Sequence, residues 1–274
     1  MKHLLSTLCG LFLITPLVAG PYDPALDGVA ATDLRVERWA TSVVEFVRGP
    51  RSIADPANGL ASFGVENNAL GVSDADADFT KVVSLGDGGS ITVAFDAPLA
   101  DRAGPDFAVF ENSFAFNGIL FAELGFVEVS SDGTNFFRFA SVSLTPTTTQ
   151  LGAFDGLDPR DIRNLVGKHP AGVGTAFDLA ELAGVSPLLD INAVTQVRII
   201  DAVGSLDPQF GTFDLLGNPI NDPFPTASAG GGLDIDAIAV LRPIPEPAAV
   251  WLVALAAGTI ASYRTHSVSG NPRR

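Results

Sequence analysis

An antiparallel β-sandwich or jelly roll with a few short helices is the fold this sequence predicts, and three observations predict it. Apolar runs between residues 21 and 243 are short and end in Gly, Asp, Asn or Pro, of which the whole chain has 28 glycines and 19 prolines. Within those runs the apolar residues alternate with a period of two rather than 3.6. Many short strands punctuated by such turns belong to sandwiches and jelly rolls. No internal repeat and no second domain is visible.

The elements follow in order. Residues 90–95 alternate, with Ile91, Val93 and Phe95 on one face. Residues 106–110 (Asp-Phe-Ala-Val-Phe) are apolar on both faces and read as a central strand. Residues 125–130 and 136–142 flank Ser131-Asp132-Gly133-Thr134-Asn135, a strong hairpin signal. Asp158-Pro159 opens a short helix, with Asp as N-cap and Pro in the first turn, stopped by Gly167. Residues 178–183 make another turn or two before Gly184. Residues 194–200 and 235–241 are two more strands. The expected core is Ile91, Val93, Phe107, Val109, Val127, Val129, Val197 and Ile199.

The two ends differ from this body. Lys2 and His3 precede an apolar stretch from Leu4 to Val18, followed by Ala19 and Gly20. These are the parts of a secretory signal peptide, expected over residues 1–20. The single cysteine, Cys9, lies inside that stretch, away from a lipid-attachment position. An exported domain with no other cysteine has no disulfide, no thiolate zinc site and no cysteine nucleophile. It must rely on its core, and about 220 residues suffice for one sizeable sandwich. At the other end, residues 248–263 form an uncharged run 16 residues long. That is shorter than the roughly 20 residues of a comfortable bilayer span. Trp251 and Tyr263 suit its interfaces, and Arg264 can snorkel. Arg264, Arg273 and Arg274 place positive charge beyond the run, so the bulk of the chain is expected outside. Pro243, Pro245 and Pro247 detach the run from what precedes it.

Pro245-Glu246-Pro247, the apolar run and the basic end resemble the PEP-CTERM sorting signal of bacterial exported proteins. The resemblance covers about thirty residues and departs from the pattern in its thin basic cluster, with Arg264 alone directly after the run. It implies recognition and processing by an exosortase-type membrane enzyme, through Pro245, Glu246, Pro247 and Arg264. It also implies the cell surface, outer membrane or extracellular matrix of an exopolysaccharide-making Gram-negative bacterium. The chain then divides into a signal peptide (1–20), a β-sandwich ectodomain (21–243) and a sorting signal (244–274) with a transmembrane helix at 248–263. Residues 83–92, 104–112, 121–133 and 232–238 resemble the bodies of other bacterial surface proteins with this terminus. They look like a galactose-binding-like jelly roll, the architecture of discoidin-type and many carbohydrate-binding modules. That likeness implies carbohydrate binding and a structural calcium.

Between the two apolar runs lie all 31 acidic residues against 12 basic ones, a formal net charge of −19. Such a surface is a poor partner for nucleic acid, which needs clustered Lys and Arg. Catalysis has little support. His169 is the one histidine between the end segments, no Gly-x-Ser-x-Gly elbow accompanies it, and a surface position beside Pro170 is expected for it. A three-histidine zinc site is excluded. Paired carboxylates could hydrolyse glycosides, but nothing selects one pair.

Oxygen-ligand cation binding is the best chemical reading, and calcium is the cation expected. The candidate ligands are Asp106 with Glu111 and Asn112, and Asp234 with Asp236. The loop from Asp74 to Asp78 carries acids two apart but lacks the glycine and distal glutamate of an EF-hand. Aspartates within apolar strands must be paired or metal-bound if buried and charged. The hardware for sugar is thin, with one tryptophan (Trp39) and one tyrosine (Tyr22) in the body and 19 phenylalanines expected mostly in the core. Together these readings favour an exported binding or structural protein without catalysis, with exopolysaccharide as its expected ligand. The alternative from another class is a secreted polysaccharide hydrolase.

Overall fold

Fifteen strands run through the described part of the computed structural model, residues 20–116 and 119–243. The segments read as signal peptide and sorting signal lie outside these residues, apart from Gly20. No helix among the described residues is long and apolar enough to cross a membrane. In chain order the strands are β1 (Gly28–Ala30), β2 (Val36–Trp39), β3 (Ser42–Val47), β4 (Val83–Ser84), β5 (Ser90–Leu99), β6 (Phe107–Glu111), β7 (Phe114–Phe116) and β8 (Ile119–Phe121). They continue with β9 (Gly125–Ser130), β10 (Phe137–Arg138), β11 (Val142–Ser143), β12 (Ile162–Arg163), β13 (Val173–Phe177), β14 (Val194–Asp201) and β15 (Asp234–Leu241).

Every pairing is antiparallel. One sheet has the order β1-β13-β6-β15-β2, with β4 also on β15; the other has β10-β9-β14-β5-β3. The pairs β11-β12 and β7-β8 stand apart. Mainly β, with curled antiparallel sheets, the architecture is compatible with a jelly roll.

The sheets pack as their side-chain periods dictate. Ile91, Val93, Val127, Val129, Val197 and Ile199 of one sheet meet Phe107, Val109, Ile235 and Ile238 of the other in one buried cluster. All eight core residues expected from the sequence lie there. Phe107 stacks on Phe177 at 5.3 Å and meets Phe139 edge-on at 5.9 Å. β15 is buried at every position, because its outer face is also covered. There Ala108, Ala237 and Ala239 leave room for Phe110, which packs on Trp39 at 5.4 Å.

Both predicted helices shrink to single 3-10 turns. Asp158 caps one as expected, accepting the Arg160 N–H at 3.0 Å, but the turn ends at Asp161. Ile162 and Leu165 are wanted in a satellite core with Leu120, Leu124 and Phe126, and the chain extends to place them. Asp178 caps the other turn, Leu179–Leu182, whose Leu179 and Leu182 are buried. The strand predicted over 136–142 splits as well. β10 stays on β9, while β11 leaves to pair with β12.

His169 corrects the sequence reading. It is buried rather than on a surface loop, and its Nε2 lies 3.0 Å from Asp27 Oδ1. Lys168 beside it is 1% exposed and donates to Asp27 Oδ2 at 2.7 Å and to the Ile162 carbonyl at 2.8 Å. Burial raises the Asp27 pKa, but the His169 and Lys168 contacts outweigh it and hold the carboxyl below its ordinary value. Removing the carboxylate strands a buried ammonium. We expect Asp27→Ala to lower unfolding stability by about 3 kcal/mol. Urea denaturation checks this, and a loss below about 0.5 kcal/mol would place the ion pair among ineffective surface contacts.

Candidate functional site

Antiparallel register brings a set of strand ends together. Glu111 ends β6 opposite the start of β15, and Asp201 ends β14 opposite the start of β9. The loops joining these ends surround a pocket of about 700 Å³. Its wall is aromatic. The β7-β8 hairpin supplies Phe114 and Phe121, stacked at 4.9 Å, and Phe154 lies 6.4 Å from Phe121. Phe79, from the acidic loop after Asp78, lines the same space. Phe79, Phe114 and Phe154 are 70%, 53% and 90% exposed, so these phenylalanines are surface groups rather than core as the sequence suggested.

The floor is polar. Asn112, Glu123, Thr226 and Asp234 line it. Asn112 Nδ2 donates to Asp234 Oδ2 at 3.2 Å, and the Ser84 hydroxyl donates to Asp234 Oδ1. Burial pushes the Asp234 carboxyl up to about 6, against the pull of those two bonds and of Arg48. Glu123 is 7% exposed, and its Oε1 has no hydrogen-bond partner among the described residues. Burial, then the negative charge of Asp234, holds Glu123 well above the ordinary carboxylate range.

The five residues predicted to ligate a cation do not form one site. Asn112 and Asp234 meet on the pocket floor. Glu111 is buried and turned to Ser113, whose backbone N–H donates to its Oε2 at 2.5 Å. The Ser113 hydroxyl contacts both Glu111 Oε2 and the Gly167 carbonyl, and its one proton cannot serve both. Burial, against the pull of the Ser113 contacts, holds Glu111 well above its ordinary pKa. Asp236 accepts from the Ser73 hydroxyl at 2.5 Å and from the Asp74 N–H at 3.3 Å. Asp106 sits beside Leu241, at the far end of β15 from Asp234. At about 3.3 Å per residue, some 23 Å of strand separates it from Asp234. It accepts from the Arg102 and Leu179 N–H groups at 2.9 and 2.8 Å. Asp101, Asp106 and Asp178 bring carboxylate oxygens within 4.8 Å of one another, a group able to hold a metal ion.

Four further acids were not singled out in the sequence. Asp87, Glu123, Asp201 and Asp222 line a second cavity of about 10 Å³ that shares Glu123 and Thr226 with the large pocket. All four are at most 7% exposed. One signal was present: Asp201 closes an apolar strand, and Asp87 sits in a Gly-Asp-Gly-Gly turn directly before another. An acid at the buried end of a strand is as unusual as one inside it.

These features define a class, an antiparallel β-sandwich with an aromatic-walled, acid-floored pocket at one end. No protein-family model matches the chain, and no curated protein matches it.

Burial pushes Asp87 and Asp234 up to about 6 and Asp106 and Asp201 up to about 7. Each folded-state value lies above the unfolded value near 3.9. The folded protein therefore binds these protons more tightly, and the stability they confer is complete below about pH 4 and lost as pH rises through 6 to 7. In chelator, the melting temperature is expected to fall by several degrees between pH 5 and pH 8. A melting temperature that climbs over that interval would show that the acids are ionised and well solvated.

Proposed function

We propose that this is an exported surface or matrix protein whose ectodomain binds saccharide in the aromatic-walled pocket. The observation that carries the reading is the pairing of exposed phenylalanine faces with amide and carboxyl groups on one floor. Apolar sugar faces stack on aromatic rings, and hydroxyls need convergent polar partners. The size of the pocket falls within the usual range for small-ligand sites, roughly 300–1,000 Å³. The galactose-binding-like resemblance supports the same reading, with exopolysaccharide as the ligand class. The same proposal takes the C-terminus as a PEP-CTERM-type signal, with membrane attachment at 248–263 and exosortase processing near Pro245-Glu246-Pro247. It assigns calcium to the oxygen donors of Asp101, Asp106 and Asp178, since a set without nitrogen or sulfur suits a hard cation.

A hydrolase remains the reading from another class, favoured by one feature: Glu123 and Asp234, both with raised pKa, line the same pocket. A raised carboxyl is what a general acid needs. Release of reducing ends from a bound polysaccharide, lost in Asp234→Asn, would establish it in place of simple binding.

A glycan array on the purified protein, with and without calcium, tests the main reading. Phe114→Ala and Phe154→Ala are expected to weaken binding about tenfold each while leaving the melting temperature within about 1 °C, because both rings are exposed. Unchanged binding in both variants would remove the pocket from the function. Sorting is checked separately by intact-mass measurement of surface-exposed molecules, which are expected to end near Pro247. Arg274 retained on most of them would count against processing.

A further inference from the structure

We propose that the aromatic-walled pocket selects a saccharide bearing free ammonium groups, an amino sugar, over neutral and acidic sugars. The inference rests on the saccharide reading and names the class of sugar that the same site takes.

Charge around the pocket has one sign. Asp76, Glu123 and Asp234 line it, and no Lys, Arg or His does. Asp76 stands exposed in the loop that also carries Phe79. Gly172 lets that loop come close, since a Cβ there would lie 3.0 Å from Asp76 Cβ and 3.3 Å from its Oδ2. Among the described residues no ion pair involves Asp76, Glu123 or Asp234. Arg48 draws on Asp234 electrostatically but does not line the pocket. Its guanidinium is committed to backbone, donating to the Phe63, Ser84 and Gly64 carbonyls at 3.2, 3.1 and 2.6 Å. A uronate or sulfate would find carboxyl groups and no cation, and would have to lose water beside them.

The walls favour the same ligand. Phe79, Phe114 and Phe154 expose their rings, and Phe121 stacks on Phe114 at 4.9 Å. A ring face carries the negative end of the aromatic quadrupole, so it attracts a cation as well as the C–H face of a sugar. An ammonium on a sugar ring meets both attractions in one place, with Asp76 at the mouth and Asp234 on the floor. The floor also responds to it. Burial favours the protonated forms of Glu123 and Asp234. An opposite charge within about 4–6 Å favours the ionised forms, so an ammonium strengthens its own partner as it enters. A neutral sugar does not.

Calorimetric titration of the full chain at pH 6, in about 0.15 M salt to screen the surface at large, tests this. The ligands are a glucosamine tetramer, its fully N-acetylated counterpart, a galacturonate tetramer and a tetralysine peptide. The first two share a backbone and differ in the charge on nitrogen. We expect the glucosamine tetramer to bind at least about tenfold tighter than the N-acetylated one, and the galacturonate tetramer to bind weakest. Asp76→Asn, at an exposed position that the fold does not need, is expected to shrink the amine preference about threefold, and Asp234→Asn to shrink it further. Tetralysine offers ammonium groups without a sugar face and is expected to bind at least about tenfold more weakly than the glucosamine tetramer. Equal binding of tetralysine would trace the preference to the acidic surface as a whole and overturn the inference. Equal affinity for the two glucosamine tetramers also overturns it and leaves the saccharide reading standing. If none of the three sugars binds, both fall. A preference that neither Asp76→Asn nor Asp234→Asn reduces places the amine outside the pocket and overturns the inference.

Discussion

Loops in this protein are tied down by buried carboxylates that accept backbone N–H groups, and much of the architecture at the pocket end depends on that one interaction. The chain has no cysteine after Cys9, so no disulfide can do the work. Asp201 joins the turn before β5 to the start of β15 by accepting from Gly88 and Leu233. Asp222 holds its loop to the approach of β9 through Leu124, and Asp87 holds the segment at Ile53. Asp106 and Asp214 do the same at other corners, the latter receiving the Ser143 N–H at 3.0 Å. Each bond satisfies a buried donor that would otherwise cost about 1–3 kcal/mol. Each also imports a group whose charge resists burial.

That second consequence gives the pocket end its chemistry. Antiparallel strands place the ends of β6 and β14 and the starts of β5, β9 and β15 on one side, so acids spaced far apart in sequence become neighbours. Burial then raises their proton affinity, and each neighbouring acid raises it further. Exposed phenylalanines above this floor add an apolar face next to a proton- or cation-seeking one. A ligand that offers both a stacking face and hydroxyl groups matches this combination; a simple anion does not.

Much of the fold was legible because burial on one face imposes a period of two. The strand at 90–95 was read from that alternation, the one at 106–110 from a run apolar on both faces, and the hairpin near 125–142 from the Asp132-Gly133 turn; the eight expected core residues lie in the cluster between the sheets. The helices were overread, because a good cap at Asp158 or Asp178 marks where a turn starts but not how far it runs. Ile162 and Leu165 had tertiary places to fill, and packing outweighed local preference. The site was legible only in part. Asp234 and Asn112 stood out as polar residues at apolar strands, and they do meet. Asp87, Glu123, Asp201 and Asp222 span well over a hundred residues of sequence, and only strand order brings them to one cavity. The exposed Phe114 and Phe154 and the half-buried Phe121 were equally hidden, since a phenylalanine in a short apolar run looks like core until the hairpin is seen to project.

The choice between amide and acid within one loop shows what the cavity requires. Asn221 accepts the Leu151 N–H at 3.0 Å and also donates to the Pro146 and Thr149 carbonyls at 2.7 and 3.0 Å. Its amide uses both halves. Asp222, the next residue, needs only to accept from Leu124, and an asparagine could do that equally well. An asparagine there would carry an NH₂ group into a cavity that already holds acceptors, easing the crowding of negative charge. Burial first, and then the charge of Asp201, hold the Asp222 carboxyl well above its ordinary value, so it takes up a proton more readily than a solvated aspartate does. A carboxylic acid accepts from Leu124 with one oxygen and offers an O–H with the other, so the position does with a proton what an amide would do with its NH₂ group.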